Sequence, residues 1–152
     1  RKTVDYYMRR TSHGSTLSRV VHAWVMSRIN REASWGLFRE ALKSDIADVQ
    51  GGTTHEGIHL GAMAGTVDMV QRCYSGLETR DDVIRFNPQL PAELKRLRFD
   101  IDYRHHWINV DINHSRLRLT SQPQEIEPIR VGYLDDIRVF EPGTTLEFEL
   151  RP

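Results

Sequence analysis

Leu97-Arg98-Phe99-Asp100-Ile101-Asp102-Tyr103 is the stretch that decides the fold: apolar and charged residues alternate with a period of two, the pattern of a strand with one dry and one wet face. The habit recurs where Ile108, Val110 and Ile112 alternate with Asn109, Asp111 and Asn113, and again in Leu117/Leu119 and Leu146/Phe148/Leu150. Strands of this kind predict antiparallel sheets packed as a small β-sandwich over residues 96–152. Upstream the pattern stops at Asn87-Pro88-Gln89-Leu90-Pro91, and residues 77–95 read as a linker.

Before the linker, over residues 1–76, the period is helical. Leu17, Val20, Val21, Trp24, Val25 and Ile29 fall at spacings of three and four and form one apolar stripe, and Leu37, Phe38, Ala41 and Leu42 mark a second helix. Thr3 to Arg9 suggest a shorter one. A further helix is expected from Thr53 to about Tyr74, opened by Thr53-Thr54-His55-Glu56 as a capping box in which Thr53 and Glu56 satisfy each other's amides. Gly57, Gly61 and Gly65 recur every four residues along it, at a propensity cost of roughly 1 kcal/mol each. Such a bare face predicts close approach of another backbone. The fold class is α+β, helices first and sheet second.

The 152 residues, 39% of them hydrophobic, suffice for a core of moderate size. Twenty-one basic residues balance twenty-one acidic ones, which argues against a general surface for nucleic acid or acidic membranes. No run approaches the ~18 to 20 apolar residues that cross a bilayer, and nothing resembles a signal peptide. The lone Cys73 excludes an internal disulfide and suits a reducing, cytoplasmic setting. The chain opens on Arg1 rather than methionine, the expectation being a processed chain or a piece of a longer one.

Two constellations can carry chemistry. His55-Glu56-Gly57-Ile58-His59 matches the zinc-protease helix, in which two histidines one turn apart bind metal and the glutamate activates water. Its third ligand is wanting: the extended motif needs a histidine where Gly65 stands, Glu78 is the one downstream candidate at a plausible remove, and the capping box would aim Glu56 at its own helix terminus. Thr11-Ser12-His13-Gly14-Ser15-Thr16-Leu17-Ser18 is a hydroxyl-rich turn running into a helix. Its first-turn amides and the hydroxyls of Ser15 and Thr16 can hold a phosphate or sulfate, or Ser15 and Thr16 can be ordinary caps. His22 reads as a packed or surface side chain, and His105, His106 and His114 as residues between strands. Cys73 has no marked activating neighbour, and no dinucleotide fingerprint or P-loop is present.

The hydroxyl-rich turn, followed by Gly51-Gly52-Thr53-Thr54-His55-Glu56-Gly57-Ile58-His59-Leu60-Gly61-Ala62-Met63-Ala64-Gly65-Thr66 and then by Phe86-Asn87-Pro88-Gln89-Leu90-Pro91 and Leu97-Arg98-Phe99, resembles the C-terminal part of glycoside hydrolase family 65. That family includes the maltose, trehalose and kojibiose phosphorylases and some hydrolases. The resemblance spans essentially the whole chain. It implies that residues 1 to about 76 are the last helices of an (α/α)6 barrel and that residues 96–152 are the C-terminal β-sandwich.

The resemblance further implies a phosphate site made of Ser15, Thr16 and His59, with His13, Gly14, His55 and Glu56 in the surrounding shell. The implied activity is inverting phosphorolysis of an α-linked glucose disaccharide to β-glucose 1-phosphate, with inorganic phosphate as co-substrate and no metal or organic cofactor. The family's catalytic acid, a glutamate, belongs to the barrel upstream of these residues. This chain therefore holds no catalytic residue of its own, is expected to be inactive alone, and needs the missing N-terminal part to cover its helices. Members commonly pair as homodimers. A same-family hydrolase such as a trehalase is the alternative; a zinc hydrolase and a non-catalytic carbohydrate-binding or oligomerisation module stand further off. At His105, where many relatives have glycine, the sequence departs from the family and puts a turn geometry in question.

Overall fold

A computed structural model describes residues 2–12, 14–48, 51, 55 and 57–151. The chain divides into two compact units, Arg1–Cys73 and Tyr74–Pro152.

The first unit is helical: α1 (Lys2–Met8), α2 (Thr16–Met26), α3 (Arg31–Lys43) and α4 (Leu60–Asp68), the last continuing as a π-helical turn over Met69–Tyr74. A four-residue connection folds α2 and α3 into a hairpin. Ser27 ends α2 with its hydroxyl on Trp24 O at 2.7 Å, and Asn30 opens α3 by accepting from Ala33 N at 3.0 Å. Ser34 Oγ donates to Ala23 O at 2.8 Å and Arg19 Nε to Glu40 Oε2 at 2.9 Å, fastening the two helices.

α2 turns a different stripe inward from the one its apolar residues predict. Thr16, Val20 and Ala23 are buried, whereas Leu17, Val21 and Trp24 stay 45%, 49% and 39% exposed. Small residues face α3, and the large apolar ones form a second, uncovered stripe. The glycine face is likewise corrected: Gly65 alone makes a close approach, and it meets the side chain of Val20 rather than a backbone, while a Cβ on Gly57 or Gly61 would meet nothing within 4 Å. α4 also starts at Leu60, later than expected; Thr53, Thr54 and Glu56 of the capping box lie outside the described residues.

The second unit is two four-stranded sheets. β1 (Glu78–Arg80), β2 (Val83–Phe86), β6 (Ile129–Tyr133) and β7 (Asp136–Phe140) pair in the order β1-β2-β6-β7; β3 (Arg96–Tyr103), β4 (His106–Asn113), β5 (Arg116–Ser121) and β8 (Thr145–Glu149) in the order β3-β4-β5-β8. The second sheet is antiparallel throughout, its register opposing Phe99 to Val110 and Val110 to Leu119. The first departs from the expectation in two ways. β2 runs parallel to β6, and both β1 and β2 lie in the stretch read as a linker. Val83, Ile84 and Phe86 are buried there. The sheets touch through aromatic side chains, with the Tyr133 and Phe148 rings 6.0 Å apart, and Arg151 N donates to the Tyr133 hydroxyl at 2.8 Å.

Two-residue turns join β1 to β2 and β3 to β4. Asp81 and Asp82, then Arg104 and His105, all carry positive φ, the backbone twist that matches tight hairpins. His105 at φ 67° occupies the left-handed region that glycine adopts without strain, so the turn keeps a glycine-favouring geometry with histidine in it.

Candidate functional site

The residues read as an anion site lie on the helical unit. Ser15 is the N-cap of α2, with extended backbone; its Oγ accepts from Leu17 N at 3.3 Å, and Ser18 Oγ donates to Ser15 O at 2.8 Å. Gly14 and Ser15 are exposed. Thr16, in contrast, is 5% exposed and packs with Val20 and Ala23 on the buried side. His13 lies outside the described residues.

His59 is the N-cap of α4, but its side chain makes no cap bond. Asp45 supplies the cap from elsewhere: Oδ2 accepts from His59 N at 3.1 Å, and Oδ1 accepts from His59 Nδ1 at 2.6 Å. Because a carboxylate only accepts, the contact makes Nδ1 the protonated nitrogen. Both side chains are mostly covered, His59 at 22% exposure and Asp45 at 12%. Placing negative charge at a helix N-terminus is itself favourable. Asp45 follows Ser44, the buried cap of α3, whose Oγ donates to Ala41 O at 2.7 Å.

α2 and α4 touch where Gly65 lies against Val20. Val20 lies four residues after Thr16 and Gly65 five after Leu60. At 1.5 Å per residue each N-terminus is therefore about 6–8 Å along its own axis from the point where the helices touch.

The zinc helix does not form. Gly57 has φ 97°, residues 57–59 lie outside any helix, and His55 is exposed, so His55 and His59 are not one helical turn apart. Glu56 is outside the described residues, and Glu78 lies on β1, in the other unit. Burial pushes the Cys73 thiol above its ordinary value, away from the nucleophilic thiolate. His106 is a core residue: fully buried, it contacts Glu127 O through Nε2 at 2.9 Å. His114 sits in the turn between β4 and β5, where Asn113 Oδ1 accepts from Ser115 N and Arg116 N.

Sequence reasoning missed Asp45. It stands in Lys43-Ser44-Asp45-Ile46-Ala47-Asp48, fourteen residues before its partner, and no period or motif connects the two.

The chain belongs to glycosyl hydrolase family 65. Residues 1–68 match that family's central catalytic domain and residues 77–135 its C-terminal domain. Over 145 residues it is 52% identical to an uncharacterized glycosyl hydrolase of Mycobacterium tuberculosis, covering 95% of this chain and 11% of that protein. It is also 32% identical to the trehalose 6-phosphate phosphorylase of Lactococcus lactis, covering 97% of this chain and 19% of that one. Its fold is that of a human-microbiome protein assigned as a kojibiose phosphorylase, with a TM-score of 0.79 at 22% identity over 96% of this chain and 19% of the other. The chain thus spans between about a tenth and a fifth of the relatives it matches.

Proposed function

We propose that the chain is the C-terminal part of an inverting α-glucoside phosphorylase, its helices the last of an (α/α)6 barrel and its sheets the family's C-terminal domain. Ser15, Thr16 and His59 hold inorganic phosphate, with Gly14 and His55 close by. A phosphate oxygen forms a bond to the anomeric carbon while the bond to the glycosidic oxygen breaks. The proton goes to that oxygen from a glutamate upstream of these residues, and β-glucose 1-phosphate leaves with inverted configuration. No step requires a metal or an organic cofactor.

The observation that carries this reading is the Asp45–His59 pair. A mostly covered carboxylate on Nδ1 is a way to orient an imidazole for work on its other side. Protonated, the ring is a cation beside first-turn amides, suited to a phosphate. Ser15, exposed at another helix start, adds a hydroxyl and the positive end of α2. Relatives named as phosphorylases of trehalose 6-phosphate, trehalose and maltose support the reaction class.

The test is release of sugar phosphate and free glucose from α-linked glucose disaccharides, phosphorylated ones included, with and without phosphate, using the longest natural chain that carries these residues. Phosphate-dependent glucose 1-phosphate is expected. Free glucose regardless of phosphate would make the protein a hydrolase, the name its mycobacterial relative carries. Ser15→Ala and His59→Ala should each impair phosphorolysis far more than folding. If both leave the phosphate dependence untouched, the site is elsewhere.

A further inference from the structure

We infer that Asp45 is a positioning residue for phosphate capture, gripping the His59 ring and the start of α4 so that imidazole and helix start face the anion together. The inference rests on the phosphate site proposed above.

A histidine at a helix start, held by nothing, has several rotamers open to it. Here one carboxylate removes that freedom, because its two oxygens bind two different parts of the same residue: Oδ1 the ring at 2.6 Å and Oδ2 the backbone at 3.1 Å. Turning the ring would break its bond to Oδ1, while the bond to Oδ2 keeps the carboxylate at the helix start. Asp45 is itself fixed. It follows the buried Ser44 at the end of α3, and α3 is fastened to α2 by the bond from Ser34 Oγ to Ala23 O. Since α2 carries Ser15 at its own start, hydrogen bonds and helix backbone run from one half of the proposed site to the other, through Asp45. The carboxylate also balances the charge of a protonated ring.

Asp45→Asn separates these effects. The amide keeps the shape, but it can serve ring and backbone together only by donating to an unprotonated Nδ1, which reverses the tautomer and removes the negative charge beside the ring. Binding of inorganic phosphate to the longest natural chain, measured by calorimetry, is expected to weaken about tenfold in this variant. The Michaelis constant for phosphate should rise by the same factor, with that for the disaccharide and the phosphate-free melting temperature little changed. His59→Ala should weaken phosphate binding at least as much, and the double variant no further than His59→Ala alone, because Asp45 acts through the ring. Should Asp45→Asn fail to fold, Asp45→Glu, which keeps both acceptors on a longer arm, should still show a selective rise in the phosphate constant.

Unaltered phosphate binding in the Asp45 variants, or losses that add in the double variant, would overturn the inference. An equal rise of both Michaelis constants with a lowered melting temperature would reduce Asp45 to a structural cap and overturn it too. Unaltered binding in His59→Ala would instead remove the phosphate site, and this inference with it.

Discussion

Gly65 of α4 lies against Val20 of α2 so closely that a Cβ on the glycine would sit 2.5 Å from Val20 Cγ1. Val20 is β-branched and 6% exposed, so it has little room to turn away. Gly65→Ala should therefore cost about 1–3 kcal/mol from overpacking, against a gain of roughly 1 kcal/mol in helix propensity. Val20→Ala alone leaves a cavity costing about 2 kcal/mol. Combined, the two should cost less than their sum, because the smaller residue at 20 makes room for the new methyl. Thermal or denaturant unfolding of the three variants checks this; strict additivity would mean the helices do not meet at these residues.

Gly76 is held at φ 65°, and a Cβ there would overlap the carbonyl oxygen of Asn87 and lie 2.6 Å from its carbon. The same segment is tied down by bonds from Asn87 N to Ser75 O at 3.2 Å and from Gln89 N to Tyr74 O at 2.9 Å. Backbone cannot yield as a side chain does. Gly76→Ala should destabilise the second unit by about 3 kcal/mol or more, read by denaturant midpoint.

Asp111 on β4 accepts from Arg96 Nε at 2.7 Å and from Arg98 Nη2 at 3.0 Å. The Arg96 hydrogen bond, foremost, holds its carboxyl well below the usual carboxylate range, against the opposing effect of burial. A carboxyl depressed by folding contributes stability above its unfolded value, near pH 4, and loses it as pH falls through the folded value. Asp111→Asn should cost about 1–2 kcal/mol at neutral pH, a modest figure because both guanidinium groups are at least half exposed. The gap between variant and parent should narrow as the solution is acidified below about pH 4. A gap that stays constant would show that the carboxylate's charge is not what stabilises.

Chelation should leave activity unchanged. With Gly57 at φ 97° and no helix through residues 57–59, His55 and His59 cannot clasp a zinc ion from one helical face. Dialysis against a strong chelator followed by the phosphorolysis assay is the check. Loss of activity restored by stoichiometric zinc would reinstate the metal reading.

β3, β4, β5 and β8 were legible because alternation is local: each residue's face is set by its neighbours two positions away. β2 was not. Val83-Ile84-Arg85-Phe86 is apolar on both sides and too short to show a period, and its partner β6 is more than forty residues downstream, with Val83 opposite Arg130. The α2 stripe was half legible. Its apolar spacing announced a helix, but which face turns inward is set by α3 and α4, where Ser34 bonds to Ala23 O and Gly65 lies against Val20.

Periodicity and motif order, both properties of neighbouring residues, were enough to place helices before sheets and to assign the family. They also placed the Ser15 turn at the head of a helix, since a cap is chosen by the residues beside it. Where α4 begins, and what holds His59, they could not supply. Both depend on Asp45, which stands two residues past the end of α3 and fourteen before His59. A helix start capped by a side chain from another element is a tertiary contact, and no local pattern encodes it.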